Sequence, residues 1–190
     1  MGASMARGGV SEDFYERIKP RLQRRVGREL RLAGRVLDFG CGSCDLGRYL
    51  AETYQQRVTG VDISSESFPK QLGSLGRGRI DCIRKDAAHL DFVPDMSMDA
   101  VLAVWSLHEM RQANDVLREA HRVLRAGGEI LIVDFPRGSL AQRLWNENYY
   151  SPGEVKEQLV RAGFYDIQVR LIERGQIIWA RGFRPPVGTP

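Results

Sequence analysis

The residues of this chain best suited to chemistry begin at position 36, where the apolar run VLDF (36–39) leads directly into GCGSC (40–44). The apolar run is typical of a buried parallel strand, and the two glycines let the backbone bend and approach a ligand closely. Leu46, Leu50 and Tyr54 then recur at helical spacing. A strand, a loop and a helix in this order present unpaired backbone N–H groups at the carboxyl edge of a sheet. The stretch therefore predicts a site for a nucleotide-like molecule.

A dinucleotide is disfavoured as the ligand of this loop. The pattern G-x-G-x-x-G would need glycine at position 45, where the chain has Asp45. A carboxylate in the first helical turn also repels a pyrophosphate placed at the helix N-terminus, whereas it tolerates a cation. The ligand is therefore not expected to be NAD.

The cysteines of the loop leave a second interpretation open. Cys41 and Cys44 form a C-x-x-C at the start of a helix, the position at which thiol pKa values are lowered in thioredoxin-like oxidoreductases. With Cys82, the chain has three cysteines and three histidines, without the paired spacing of a zinc site, so we expect no metal. Gly40 directly before the pair and the strand–helix pattern after it favour a ligand loop, and a C-x-x-C redox protein remains the alternative.

The elements that must position these residues alternate along the chain. Apolar runs predict further strands at 58–62, 80–83, 100–105 and 130–133, and residues 164–172 and 176–180 predict a closing antiparallel hairpin. Val116 to Leu124 has the spacing of a helix that Gly127-Gly128 would end, and Ser151-Pro152-Gly153-Glu154 is a capping box that opens another. Because Pro20 disfavours helix in the residue before it, we expect two N-terminal helices rather than one.

Length and composition indicate an ordinary globular chain of 190 residues, with 43% hydrophobic and 27% charged residues. No apolar run is long enough for a membrane span, so we expect a cytoplasmic protein. Residues 1–35 hold nine Lys or Arg against four Asp or Glu, a balance of +5 in a chain whose net charge is +4. This basic segment is either the solvated face of a helix or a patch that attracts RNA.

The ordered set of motifs resembles the class I S-adenosylmethionine-dependent methyltransferases, in the small-molecule-type group. The resemblance rests on the loop at 40–44, Gly60 to Ser64 (GVDIS), Asp86-Ala87, Leu107-His108 and Arg125 to Gly128 (RAGG), and it covers roughly residues 34 to 181. It implies an α/β fold: a Rossmann-like, doubly wound, mostly parallel seven-stranded sheet of order 3-2-1-4-5-7-6, with helices on both faces and the C-terminal hairpin. We divide the chain into an N-terminal helical extension, 1–33, and an S-adenosylmethionine-binding domain, 34–190.

The resemblance also implies which residues would bind S-adenosyl-L-methionine and its product, S-adenosyl-L-homocysteine. The loop would pass beside the methionine and ribose portions, Asp62 would accept hydrogen bonds from both ribose hydroxyls, and Asp86 would accept one from the adenine amino group. Ile63 would pack on the adenine face, and Trp105 and Ser106 would border the sulfonium and the substrate. The full set is Gly40, Cys41, Gly42, Asp62, Ile63, Asp86, Ala87, Trp105 and Ser106.

Two further residues are candidates with open roles. His108 follows strand four, where a base could reach the substrate, but positioning can supply much of the acceleration of methyl transfer from a sulfonium without any acid or base, so a helix-capping or hydrogen-bonded structural role is favoured. Tyr15 would be either a lid over the cofactor or a core aromatic. Cys44 departs from the resembled pattern, which has a third glycine there, and Pro69 shortens the helix expected after Asp62.

Little of the chain remains to cover a substrate, which bears on the acceptor and on partners. Only about thirty N-terminal residues and the segment 136–150, with Trp145 and Tyr149, lie outside the predicted sheet and its helices. A large acceptor would supply its own cover, or a homodimer or partner subunit would complete the site. We expect methyl transfer to an unidentified small molecule. RNA or protein methylation, and a non-catalytic cofactor-binding subunit, are the alternatives.

Overall fold

A computed structural model describes residues 13–70, 73–186 and Gly188. Its helices and strands alternate through most of the chain, with a single 3₁₀ turn at Leu107–Glu109. In chain order they are α1 (Asp13–Glu29), β1 (Arg35–Phe39), α2 (Asp45–Tyr54), β2 (Arg57–Asp62), β3 (Gly73–Leu75), β4 (Gly78–Arg84), β5 (Met98–Val104), α3 (Ala113–Val123), β6 (Leu124–Asp134), α4 (Leu140–Trp145), α5 (Pro152–Arg161), β7 (Tyr165–Ile172) and β8 (Ile177–Phe183).

The strands form one sheet in the order β3-β4-β2-β1-β5-β6-β8-β7. The pairs among β4, β2, β1, β5 and β6 are parallel, and β6-β8 and β8-β7 are antiparallel. Without β3, this order is the predicted 3-2-1-4-5-7-6, so the α/β class and the closing hairpin are confirmed. The predicted count of seven strands is wrong, because β3 pairs antiparallel with β4. Gly76, at φ +65, closes the tight turn between them.

Each face of the sheet buries its own apolar cluster, as the two-residue period of a strand requires. In β1, Leu37 and Phe39 point into the cluster with α3 and α5, while Val36 points into the cluster with α1 and α2. Because helices cover both faces, the central strands are apolar on both sides. The sheet therefore presents only its edges and strand ends to a ligand.

The N-terminal segment is one helix, so the prediction of two helices is wrong. Pro20 lies inside α1 on its exposed side, while Tyr15, Ile18, Leu22 and Val26 are buried against the sheet. Burying this stripe outweighs the hydrogen bond that Pro20 cannot donate. Residues 1–12 of the predicted N-terminal extension lie outside the described residues, and the boundary at residue 33 stays a prediction.

Two further elements differ from expectation, and one agrees. Residues 63–70 contain turns and bends where we expected a short helix, in keeping with Pro69. Helix α3 ends at Val123 and β6 begins at Leu124, so Gly127-Gly128 bends the strand and does not cap the helix. The capping box of α5 is confirmed, because Ser151 and Glu154 each accept a hydrogen bond from the other's backbone N–H. Among the described residues, no helix has the length and apolar character needed to cross a membrane.

Candidate functional site

A cavity of about 800 Å³ opens at the carboxyl ends of β1, β2, β4 and β5. Parallel α/β sheets bind ligands at this edge, and the volume suits a ligand of nucleoside size. The wall combines backbone, carboxylate, aromatic and basic groups from four loops. It comprises Gly40, Gly42, Val61, Asp62, Ile63, Lys85, Asp86, Ala87, His89, Trp105, Ser106, Glu109, Met110, Arg111, Gln112 and Val116.

The glycine loop is fixed by backbone hydrogen bonds and by close packing. The backbone N–H groups of Gly40 and Cys41 both donate to the carbonyl of Val61, at 2.8 and 3.1 Å. Gly40 has φ +66, and a Cβ there would lie 2.5 Å from the Cβ of Ser106. Ser106 in turn donates its hydroxyl to the carbonyl of Phe39 at 2.7 Å. Position 40 therefore needs glycine for its conformation and for its space.

Asp62 joins the glycine loop to the end of β2. Its Oδ2 accepts a hydrogen bond from the N–H of Gly42 at 2.9 Å, and its Oδ1 accepts one from the N–H of Ser64 at 3.0 Å. Each carboxylate oxygen has two acceptor positions, so both keep one toward the cavity. The side chain is thus oriented in advance to accept two hydroxyl donors.

Asp86 follows β4 and is oriented in a similar way. Its Oδ1 accepts a hydrogen bond from the N–H of Ala88 at 2.9 Å, which turns the chain and places Ala87 in the cavity wall. Ile63 also lines the cavity and is 73% exposed, an apolar surface that a flat ring could cover. The two carboxylates and this side chain form the β2–β4 side of the cavity.

Trp105 leaves β5 with φ +57, a left-handed conformation that is unusual for a large side chain. Its backbone N–H donates to the carbonyl of Val133 at 2.7 Å, and its ring stacks on Phe135 with centroids 5.5 Å apart. The buried indole Nε1 has no hydrogen-bond partner among the described residues.

Asp38 lies beneath the glycine loop and is almost fully buried. Burial disfavours its ionised form, and the charge of Asp62 adds to this, so the pKa of Asp38 is raised to about 7. The carboxyl group is therefore partly protonated near neutral pH. A cation bound in the cavity would favour its ionised form.

His108 lies in the 3₁₀ turn after β5, and its buried imidazole is held at both nitrogens. Nδ1 is 2.7 Å from Oδ1 of Asp134, at the end of β6, and Nε2 is 3.1 Å from Oε2 of Glu147. Burial opposes the charged imidazolium, but the hydrogen bonds and charges of Asp134, Glu109 and Glu147 outweigh it and raise the pKa of His108. His108 does not line the cavity, although Ser106 before it and Glu109 after it in the chain both do.

Glu109 and Glu147 belong to the same acidic surroundings. Burial raises the pKa of Glu109, and the charges of Glu147, Asp134 and Asp62 raise it further against the opposing effect of His108. Tyr149 donates its hydroxyl to Glu147 at 3.0 Å. Ligand atoms of His108, Glu109 and Glu147 lie within 4.8 Å of one another, close enough to share a metal ion. Hydrogen bonds within the group satisfy His108 as it stands.

Tyr15 is a core aromatic in this structure rather than a lid. Its ring is 3% exposed and packs on Phe135 and Trp145, with centroids 4.9 and 5.1 Å away. Its hydroxyl accepts a hydrogen bond from the N–H of Ala141 at 2.8 Å. Tyr15 is not part of the cavity wall, its contacts are those of the core-aromatic alternative, and its hydroxyl fixes the start of α4 to α1.

The cysteines pair differently from the C-x-x-C interpretation. Cys44 is bonded to Cys82 of β4, and Cys41 is the free thiol of the three. Cys44 precedes α2 with φ 59, a conformation that costs a non-glycine residue about 1–2 kcal/mol. The left-handed backbone explains why a third glycine would suit this position.

The structure brings the predicted cofactor residues together, with one exception. Cys41 has its side chain beneath the loop and not in the wall, whereas the other eight residues of the set line the cavity. The sequence patterns did not single out the wall residues Lys85, His89 and 110–112. Each of them lies within a few residues of one that the patterns did single out. The patterns also missed Asp134, which the rule of strand ends could have found. No signal in the sequence pairs Cys44 with Cys82.

A doubly wound sheet with its cavity at the strand carboxyl ends defines a Rossmann-like α/β protein. Residues 37–132, half of the chain, match the family described as a methyltransferase domain, and the chain belongs to that family. It is similar to the 27-O-demethylrifamycin SV methyltransferase of Amycolatopsis mediterranei, at 36% identity over 110 residues, or 56% of this chain and 40% of that protein. The chain spans about half the length of the curated relatives that it matches.

Two solved structures share the fold. A chain in the complex between the Haloferax volcanii Trm112 methyltransferase activator and a methyltransferase has a TM-score of 0.72 at 16% identity, with 92% of this chain and 95% of that chain covered. The [4+2]-cyclase SpnF has a TM-score of 0.68 at 21% identity, with 88% and 82% covered. The second similarity shows that this fold is not restricted to one reaction.

Proposed function

We propose that the chain binds S-adenosyl-L-methionine in the cavity and transfers its methyl group to a small-molecule acceptor. The observation that carries this proposal is the convergence of Asp62, Asp86 and the glycine loop on one cavity in a member of the methyltransferase-domain family. S-adenosylmethionine supplies a methyl group activated by a sulfonium cation. Asp62 would hold the ribose hydroxyls, and Asp86 and Ala87 the adenine edge.

The charge of the cavity supports a cationic ligand. Three carboxylates, Asp62, Asp86 and Glu109, lie in the wall and outnumber its two fixed cations, Lys85 and Arg111. Carboxylates close to a sulfonium stabilise it, and they lose this interaction when methyl transfer leaves a neutral thioether. The same groups therefore favour the substrate over S-adenosyl-L-homocysteine and assist product release.

His108 is our candidate base for an acceptor that carries a proton, such as a hydroxyl group, and its ring lies just outside the cavity wall, between the wall residues Ser106 and Glu109 in the chain. Asp134 fixes the ring and supports a positive charge on it, so Nε2 can take the proton as the acceptor oxygen attacks the methyl carbon. Glu147 now occupies the partner position on Nε2 and belongs to an exposed segment. An acceptor hydroxyl would replace Glu147 there, and positioning of the two reactants would supply much of the acceleration.

The open side of the cavity bears on partners. No residue of α1 or α4 is part of the cavity wall, and the hydroxyl of Tyr15 joins these two helices by accepting a hydrogen bond from the N–H of Ala141. A homodimer or a partner subunit that covers the cavity remains part of this proposal, and so does a cytoplasmic location. The structural neighbour with an activator protein is a precedent for such an arrangement in the fold only.

Calorimetry with S-adenosyl-L-homocysteine tests the cofactor site directly. We expect the wild-type chain to bind it and Asp62→Ala to lose at least about tenfold in affinity, because two charge-assisted hydrogen bonds disappear. Asp81→Ala is the matched control, since Asp81 lies on β4 outside the cavity wall and pairs with Arg79. Equal affinities in the three proteins, or no binding by the wild type, would refute the site.

The acceptor needs a second experiment, because the fold also hosts a cyclase. Labelled methyl transfer into a cell extract separated into small molecules, RNA and protein would identify the acceptor class. Label in the small-molecule fraction supports the proposal. Label only in RNA or protein would favour the alternative that the basic start of the chain suggested, and none in any fraction would favour a non-catalytic binding subunit.

A further inference from the structure

Two cysteines of the glycine loop meet a third from β4, 38 residues further along the chain, and we call them the three-cysteine cluster: Cys41, Cys44 and Cys82. Cys44 and Cys82 are joined by a disulfide, and Sγ of Cys41 lies 3.3 Å from Sγ of Cys44. The cluster is outside the cavity wall. None of the interactions proposed for cofactor or acceptor uses its side chains.

Strand β2 makes the room for this cluster. Gly60 pairs in register with Cys82 of the neighbouring strand β4. A Cβ at Gly60 would lie 2.7 Å from Sγ of Cys41 and 3.3 Å from Sγ of Cys44. Two residues further along the same strand stands Asp62, which orients the glycine loop. The cluster and the proposed ribose site therefore share one short piece of backbone.

The disulfide stabilises a left-handed backbone conformation that a cysteine does not favour. Cys44 has φ 59, and its side chain makes no capping hydrogen bond to α2. A non-glycine residue leaves this conformation unless its surroundings hold it. The bond to β4 supplies such a hold, and the loop that it steadies carries Gly40 and Gly42 of the cavity wall.

We propose that Cys44 and Cys82 form a reversible thiol–disulfide site that sets the affinity of the adjoining cavity, with the bridged form binding the cofactor more tightly. The proposal rests on the proposed cofactor function of that cavity. The reductant is a dithiol. One of its thiolates attacks Sγ of Cys82, the half-buried sulfur, and Cys44 leaves and takes up a proton. The second thiol of the reductant then displaces Cys82, so that two electrons pass to the protein and the reductant becomes a disulfide.

Cys41 explains why the bridge joins these two residues. Burial raises the pKa of the Cys41 thiol, and the charges of Asp38 and Asp62 raise it further. The thiol form is a poor nucleophile, so Cys41 does not displace Cys82 although it touches Cys44. The C-x-x-C pair that the sequence offered is therefore not the pair that is bonded.

The test compares S-adenosyl-L-homocysteine binding to the whole chain after oxidised glutathione and after dithiothreitol. We expect the dissociation constant to be larger by about fivefold or more in the reduced protein. Alkylation under denaturing conditions should find one free thiol in the oxidised chain and three in the reduced chain, which has three cysteines in all. By reciprocity, the ligand should lower the midpoint potential of the bridge by about 20 mV for a fivefold effect.

Two variants separate the effect of the disulfide from the effect of the left-handed backbone at Cys44. Cys82→Ala should bind weakly and ignore the redox state, whereas Cys44→Gly should also ignore it but bind nearly as well as the bridged wild type, because glycine adopts φ 59 without strain. Equal affinity of the oxidised and reduced wild type, or three free thiols after oxidation, would overturn the proposal. If neither state binds while the thiol count still changes from one to three, the cofactor function itself is refuted, and the bridge survives without its effect on affinity.

Discussion

Asp134 contacts His108 twice: its Oδ1 lies 2.7 Å from Nδ1 of the ring, and its Oδ2 accepts a hydrogen bond from the backbone N–H at 3.1 Å. Both contacts come from the end of β6, the strand next to the one from which His108 departs. Two neighbouring strand ends thus fix the ring in one tautomer and one orientation. The arrangement is the positioning that a general base requires.

The pH dependence of methyl transfer should report this pair. A base must be neutral to accept a proton, and the pKa of His108 is raised, so the rate should increase with pH through an inflection above the ordinary 6.5. Asp134→Asn removes the charge that raises the pKa, and the inflection should move to lower pH as the rate falls. Single-turnover rates at constant ionic strength would measure both. An inflection that stays in place in Asp134→Asn would contradict the role.

The close packing of Gly40 predicts a large cost for a methyl group. Gly40→Ala would bring a Cβ to 2.5 Å from Cβ of Ser106, whereas the Cβ of Gly42→Ala would have no protein atom within 4 Å. Both glycines have positive φ, so the strain is common to the two variants and the difference isolates the overlap. We expect Gly40→Ala to lose about 1–3 kcal/mol more of unfolding free energy than Gly42→Ala in urea.

A double variant supplies the control for this overlap. Ser106→Gly removes the atom that the new methyl group would meet. Added to Gly40→Ala, it should cost less than the sum of the two single changes, which is the sign of a relieved contact. Additive costs would mean that the overlap is accommodated elsewhere.

Asp38 should make the stability of the protein depend on pH. Its folded pKa of about 7 lies above the ordinary value of 3.8, so the folded state keeps a proton that the unfolded state has lost. This contribution is complete below about pH 4 and is lost as the pH rises toward 7, at most about 4 kcal/mol. Asp38→Asn should therefore lose less stability than the wild type between pH 4 and 8 in urea unfolding. If the free energy of unfolding changed with pH equally in the two proteins, the ionisation of Asp38 would have no effect on stability.

Arg122 of α3 should be a stability residue for the loop that carries Asp86. Its guanidinium pairs with Glu119 and Asp95 and donates to the carbonyls of Leu90 and Val93. Arg122→Ala removes these ion pairs and hydrogen bonds together and should cost about 2 kcal/mol of unfolding free energy. The matched control is Arg161→Ala on α5, whose pair with Glu157 is exposed and should be worth less than about 0.5 kcal/mol. Equal losses would contradict the special position of Arg122.

The sequence predicted the features that depend on local pattern, and missed those that depend on distant contacts. Apolar strands that end in Asp62 and Asp86 were recognisable, because parallel strands bring their carboxyl ends to one edge. The prediction of a helix break at Pro20 was wrong, because burial of the whole apolar stripe of α1 outweighs the local preference of proline. The disulfide between Cys44 and Cys82 joins residues 38 positions apart. It depends on the register between β2 and β4 at Gly60, and local sequence patterns do not determine that register.

The hydrogen bond from the N–H of Ala141 to the hydroxyl of Tyr15 joins residues 126 positions apart, and both lie outside the stretch matched by the family. Helix α1 and the start of α4 are therefore one mechanical unit. We expect a substitution that displaces one of them to displace the other, although neither lies in the cavity wall.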